Sequence, residues 1–204
     1  EPVSFEQRDN ETRVPLVMEA WESFFVVFRA PATELSRTVD KPEFTPAITV
    51  DGPWAVSFQT GRGAPGESVF EELSSLSHNE NPGIRYFSGV TTYRNQFALP
   101  ASEKAPSSLQ LDLGEIGDIA EVYINGLYAG TAWKPPYRVD IGQQTKAGVN
   151  QLEIRIANLW VNRLIGDRQP DAEPITYTTF KTYMPSAPLR PSGLMGPVRV
   201  LEVR

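Results

Sequence analysis

Seven residues that fall in one stretch are of the types that can contact a sugar: Trp133, Tyr137, Arg138, Trp160, Asn162, Arg163 and Asp167. A pyranose is held by laying its apolar ring face on an aromatic plane while planar amide, carboxylate and guanidinium groups take the hydroxyls. Each of the seven falls just after a predicted strand, where the loops of a β fold carry function. They are the candidate carbohydrate-binding residues. The same set has a purely structural reading, in which Trp133 and Trp160 plug the ends of a sandwich while Arg163 and Asp167 form an ion pair that fixes a loop.

Other chemistries find less support. GRGAPGES at 61–68 has the spacing of a phosphate-binding loop, but Glu67 stands where the lysine would be and repels phosphate. His78 is the only histidine and no nucleophile-elbow pattern occurs, so no Ser-His-Asp triad is expected. A glycosidase needs two carboxyl groups about 5 to 9.5 Å apart, and Glu121, Asp140, Glu153 and Asp167 are scattered among strands. No catalytic residue is assigned. With one His, no Cys and no EF-hand spacing, no metal ligand or cofactor is assigned either, although oxygen ligands alone would admit a structural Ca²⁺ in a loop. Asn10-Glu11-Thr12 has the form of a glycosylation sequon.

The net charge of −6 and pI of about 4.9 argue against a nucleic-acid partner, whose binding rests on clustered Lys and Arg. No apolar run has membrane-spanning length, no basic-then-apolar leader is present, and the first residue is Glu1, so a segment of a larger polypeptide is expected. At 204 residues the chain can hold one large β domain, or one domain and a fragment of another.

The elements that must position the seven residues are strands. Residues 109–113 alternate, with Leu109, Leu111 and Leu113 on one side and Gln110 and Asp112 on the other. Residues 120–124 and 127–132 flank Asn125-Gly126, the dipeptide that tolerates the positive φ angles of a type I′ hairpin turn. Residues 152–157 bury Leu152, Ile154 and Ile156, and 197–203 supply a closing strand with Val198, Val200 and Glu202 on one face. Within 85–99, Val90 and Phe97 are expected in the core if a bulge intervenes. Residues 54–58 form a strand, 61–68 a loop, and 69–76 a helical turn or two. Upstream, residues 14–28 (VPLVMEAWESFFVVF) suggest two short strands turning at Glu19, Glu22 and Ser23, the strand from Phe24 to Phe28 being exposed enough to pair with another copy once cut from its parent. Pro31, Pro42, Pro46 and Pro53 suggest a linker. Many short, turn-spaced strands without βαβ alternation predict an all-β antiparallel sandwich of the jelly-roll kind. The expected division is 1–50, terminal strands of a preceding domain plus a Pro-rich linker, and 51–204, the sandwich.

A family resemblance lies on the same residues. The run LDLGEIGDIAEVYINGLYAGTAWKPPYRVDI, followed by KAGVNQLEIRIANLWVNRLIGD, resembles the sugar-binding, galactose-binding-domain-like sandwich of glycoside hydrolase family 2. It is most similar to the C-terminal domain of bacterial α-L-rhamnosidases of glycoside hydrolase family 106. The matching features are Leu113-Gly114, the hairpin from Glu121 to Gly126, the loop from Trp133 to Tyr137, Asp140, the strand after Gly148, and Asn158 through Asp167. Such domains are noncatalytic, because in these enzymes the acid and its partner carboxylate lie in a separate barrel. The resemblance therefore implies an accessory domain of a larger, secreted or periplasmic glycoside hydrolase, with carbohydrate (a plant or bacterial polysaccharide) and the enzyme's other domains as partners. Two alternatives stand beside it, an independent carbohydrate-binding module and a self-contained hydrolase.

Overall fold

The computed structural model describes residues 3–29, 31, 33–100 and 108–204. Near the N-terminus β1 (Phe5–Arg8), β2 (Glu11–Arg13) and β3 (Ser36–Arg37) form a small antiparallel sheet in the order β2-β1-β3. Asp9 and Asn10 turn its hairpin with φ of 50° and 64°, a conformation that short polar side chains tolerate by bonding locally.

The remaining strands are β4 (Phe44–Thr49), β5 (Trp54–Phe58), β6 (Glu67–Phe70), β7 (Val90–Leu99), β8 (Leu109–Asp112), β9 (Glu115–Ile116), β10 (Ile119–Ile124), β11 (Leu127–Ala132), β12 (Arg138–Asp140), β13 (Gly148–Ala157), β14 (Leu194–Gly196) and β15 (Arg199–Val203). The helices α1 (Pro82–Arg85) and α2 (Val161–Gly166) are each a turn or two. One sheet has the order β11-β10-β13-β7-β5-β6 and the other β12-β8-β15-β4, with every pairing antiparallel. β9 and β14 make a two-stranded rib. The chain is thus an all-β antiparallel sandwich.

Side-chain alternation builds the core between the sheets. Trp54, Tyr93, Leu111, Val122, Ile154 and Val200 are among the buried residues, and burying each such aliphatic or aromatic side chain contributes about 1.5–3 kcal/mol. The Asn125-Gly126 turn has φ of 53° and 80°, as a type I′ hairpin requires.

Four local expectations are corrected. Residues 14–28 make no strand; the segment is mostly exposed and has no ladder partner, although the expected turn forms, with the Glu22 N–H donating to the Glu19 carbonyl at 3.2 Å. The proline-rich stretch contains a strand of the sandwich, β4, despite Pro46. Proline lacks the N–H a central strand needs, but β4 is an edge strand and its register slips beside Pro46, where Val200 pairs with Ile48 and Leu201 with Pro46. This strand lies on the 1–50 side of the division drawn at residue 50, yet it pairs with β15. Val90 is exposed, because β7 runs in unbroken register against β13 over ten pairs and no bulge changes its parity; Thr91 and Tyr93 point inward instead. Finally, residues 67–70 are β6, and the helical turn falls later, as a 3₁₀ turn at Leu76–His78.

β4 also brings the two flanks of the sandwich together. Glu43 and Arg204 exchange backbone hydrogen bonds, at 3.0 Å from Glu43 N–H and 3.1 Å from Arg204 N–H.

Candidate functional site

The strand order collects several loops at one end of the six-stranded sheet. β11 and β13 both pair antiparallel with β10, so they run the same way and finish at the same rim. Trp133 directly follows Ala132, which pairs with Ala120, and Trp160 comes three residues after Ala157, which pairs with Ile119. With one strand between them and strands ~4.8 Å apart, β11 and β13 reach the rim roughly 10 Å from each other. Both rings face solvent, Trp133 at 63% exposure and Trp160 at 46%.

β5 ends at this rim too, since Phe58 pairs with Thr91 near the start of β7. The loop after it places the Arg62 guanidinium 4.7 Å from the centroid of the Trp160 ring, within the range of a cation–π contact. Asp118, at φ 86°, turns the chain into β10 and accepts the Leu159 N–H at 3.2 Å. Lys134, beside Trp133, lies 3.8 Å from Glu22.

The other five candidates sit elsewhere. Tyr137 packs against the core and its carbonyl accepts the Leu113 N–H. Arg138, on β12 of the smaller sheet, bonds Asp112 Oδ2 at 3.0 Å and lies over the Phe44 ring at 4.5 Å. Asn162 is buried: its Nδ2 donates to the Arg190 carbonyl at 2.8 Å and its Oδ1 accepts the Arg190 N–H at 2.8 Å. Arg163 and Asp167 stand one helical turn apart, buried, with Nε 2.9 Å from Oδ1. These two atoms do not meet hydrogen-bond geometry with each other, so the contact is a charge pair more than an aligned bond.

Asp167 is held on its other oxygen by the amide of Thr176 at 2.9 Å and by the Thr176 hydroxyl. Burial alone would raise the carboxyl; the two Thr176 bonds and the Arg163 charge outweigh it and keep it below the usual aspartate value.

Arg62 and Asp118 were outside the sequence-derived site. Asn158 is nearly buried and ties three places together: Nδ2 donates to the Gly89 carbonyl and Thr91 hydroxyl, and Oδ1 accepts the Gly193 N–H at 2.7 Å. The glycine-rich run has a packing purpose. A Cβ on Gly63 would come 3.1 Å from Arg163 Nη1 and 3.3 Å from Ile175, and Gly63 sits at φ 84°, so the loop closes over the arginine. That spacing was a legible signal for close approach, where the sequence was read as a surface loop.

The acids do not converge on one pocket. Asp140 is on β12, where it accepts the Gly142 N–H; Glu121 and Glu153 are on the outer face of the larger sheet; Asp167 caps the C-terminus of α2. Among the described residues no group of three His, Asp or Glu is arranged to hold a metal, and no helix is long and apolar enough to cross a membrane.

The antiparallel sheets form a β-sandwich with two solvent-facing tryptophans at one end. The family model described as glycosyl hydrolase 2 galactose-binding domain-like matches residues 76–189, more than half of the chain, and the chain belongs to that family. It is 36% identical over 178 residues to a protein of Formosa agariphila named as a beta-glucuronidase, an alignment covering 75% of this chain and 15% of that protein. It superposes on the solved rhamnosidase of Novosphingobium sp. PP1Y with a TM-score of 0.92 and 47% identity, covering 98% of this chain and 19% of that one. The chain thus spans less than a fifth of either relative. It is a small domain of glycoside hydrolase-type proteins.

Proposed function

We propose that the chain is a noncatalytic accessory domain of a larger, secreted or periplasmic glycoside hydrolase of the α-L-rhamnosidase kind, supporting that enzyme and presenting its rim to carbohydrate. The observation that carries this reading is the likeness of nearly the whole chain to under a fifth of a rhamnosidase. The apolar surface supports it. Trp21 and Phe25 are 83% and 93% exposed, and Phe28, Tyr177, Phe180 and Met184 are also open to solvent, an amount of exposed apolar side chain that marks contact with further polypeptide.

The expected result is that the purified chain releases no product from an aryl α-L-rhamnoside, whereas a longer protein containing it does. Turnover by the chain alone would overturn the noncatalytic reading.

A second reading, an independent carbohydrate-binding module, is favoured by the solvent-facing rings of Trp133 and Trp160. Titration of the chain with a glycan panel tests it. Trp133→Ala and Trp160→Ala should each weaken binding at the rim about tenfold, equivalent to about 1.4 kcal/mol, and leave the melting temperature unchanged. Absent or unaltered binding leaves the supporting role alone.

A further inference from the structure

The outer face of the six-stranded sheet is a second ordered surface, distinct from the rim. The pairing aligns its outward side chains in rows across the strands. Tyr128 lies opposite Tyr123, Tyr123 opposite Glu153, Glu153 opposite Arg94, and Arg94 opposite Ala55. The next row runs Thr131, Glu121, Arg155, Thr92 and Ser57, and Gln151 pairs with Gln96 on the other side.

Hydrogen bonds lock these rows. Glu153 takes Arg94 Nε on one oxygen and Arg155 Nε on the other, each at 2.7 Å. Arg94 also donates to Ser57 Oγ at 3.1 Å. Arg155 lies 4.3 Å from the centroid of the Tyr123 ring, and the Tyr123 hydroxyl donates to Glu121 at 3.0 Å. Tyr128 packs edge-on against Tyr123 at 5.6 Å and bonds Thr131 at 2.7 Å. Burial would raise the Glu153 carboxyl, and the bonds from Arg155 and Arg94 bring it below its ordinary value. Two grooves meet at Arg94: one of about 270 Å³ beside Tyr123, Gly126, Gln151 and Arg155, and one of about 340 Å³ beside Ala55, Ser57 and Val69.

We propose that this sheet face binds an uncharged glycan chain laid across the strands. Four arguments select that occupant. Arg94 and Arg155 stand against Glu121 and Glu153, with Glu67 lining the second groove, so the face has no positive excess to attract an anionic polymer. A protein partner would have to desolvate two Arg–Glu contacts, which the core of a protein interface avoids; sugar hydroxyls instead replace water on the free lone pairs and N–H groups one for one. Isolated surface ion pairs stabilise little, yet these side chains are fixed in mutual contact, the preorganisation that lowers the entropic cost of binding. The two grooves form a track over several strands, suited to an extended chain more than to one sugar.

The proposal rests on carbohydrate being the ligand class of the domain and assigns it to a different surface from the rim. The test is calorimetric titration of the 204-residue chain with neutral cello-, xylo-, galacto- and rhamno-hexaoses, with an oligogalacturonate as the charged control. At least one neutral hexaose should bind. Tyr128→Ala and Gln151→Ala, both exposed and checked for an unchanged melting temperature, should each weaken it about tenfold or more, while Met184→Ala, exposed and away from both rim and sheet face, should leave it intact. The proposal is overturned if no neutral hexaose binds the folded chain, if binding survives both face variants, or if the oligogalacturonate binds as tightly. Hydrolysis by the chain would sink the accessory reading without altering any of these binding outcomes.

Discussion

Arg163→Ala should destabilise the chain by about 3–5 kcal/mol, because removing one partner of a buried pair leaves the other charge uncompensated. The side chains of Arg163 and Asp167 are only 9% and 6% exposed, so water cannot take over the lost contact. The Thr176 bonds remain and hold Asp167 in place, which makes relaxation to solvent harder. Adding Asp167→Asn to Arg163→Ala removes the stranded charge, and the double variant should lose less than the sum of the two single changes. Urea unfolding of the four proteins at neutral pH measures this; strict additivity would mean the pair is not coupled. The same carboxyl gives a pH dependence with a fixed sign. Its folded-state value lies below its ordinary one, so its contribution is fully present above the unfolded value of about 3.9 and is lost as pH falls through the folded value. Asp167→Asn should flatten that part of the acid limb.

Asn158→Ala should cost about 1–3 kcal/mol, the cost of a buried polar group left without a partner, since the Gly193 amide loses its acceptor while the Gly89 carbonyl keeps the Asn158 backbone N–H. Asn158 joins the start of β7, the end of β13 and the segment that leads into β14. Its loss should therefore increase amide exchange at Gly193 and Leu194 well before global unfolding. Exchange rates there that match the wild type would show that the backbone finds other partners. Tyr93 supports the same segment, accepting the Leu194 N–H at 3.1 Å in a fully buried position, and burial pushes its hydroxyl far above the usual tyrosine range.

The parts of the fold written in local pattern were legible. Alternation in 109–113 and 152–157 places the buried leucines and isoleucines, and Asn125-Gly126 marks its hairpin, because both depend on residues adjacent in sequence. Strand β4 was hidden, since its proline is tolerated only by an edge position and a register slip that nonlocal pairing determines. The apolar run at 14–28 misled for a related reason: hydrophobicity marks a surface to be covered, and strand formation additionally requires a partner edge. At the site, residue type identified groups able to contact a sugar, but burial separated them. Trp133 and Trp160 reach the same rim through the directions of β11, β10 and β13, whereas Asn162 and Arg163 on α2 and Asp167 at its C-terminus turn their side chains inward, a distinction that no spacing in NLWVNRLIGD carries. Arg62 joins Trp160 from a loop almost a hundred residues upstream, a proximity that only the order of β5, β7 and β13 creates.

The paired backbone bonds between Glu43 and Arg204 bear on how such a module behaves under mechanical tension. Polypeptide attached on either side of it leaves from adjacent points, so a pull on the two flanks loads the β4–β15 ladder from one end. The bonds would then open in succession, as in a zipper, and would not share the load as they do when strands are sheared lengthwise. The β4–β15 seam is therefore the part of the sandwich set to yield first, while the six-stranded sheet with its rim and outer face stays out of the line of force.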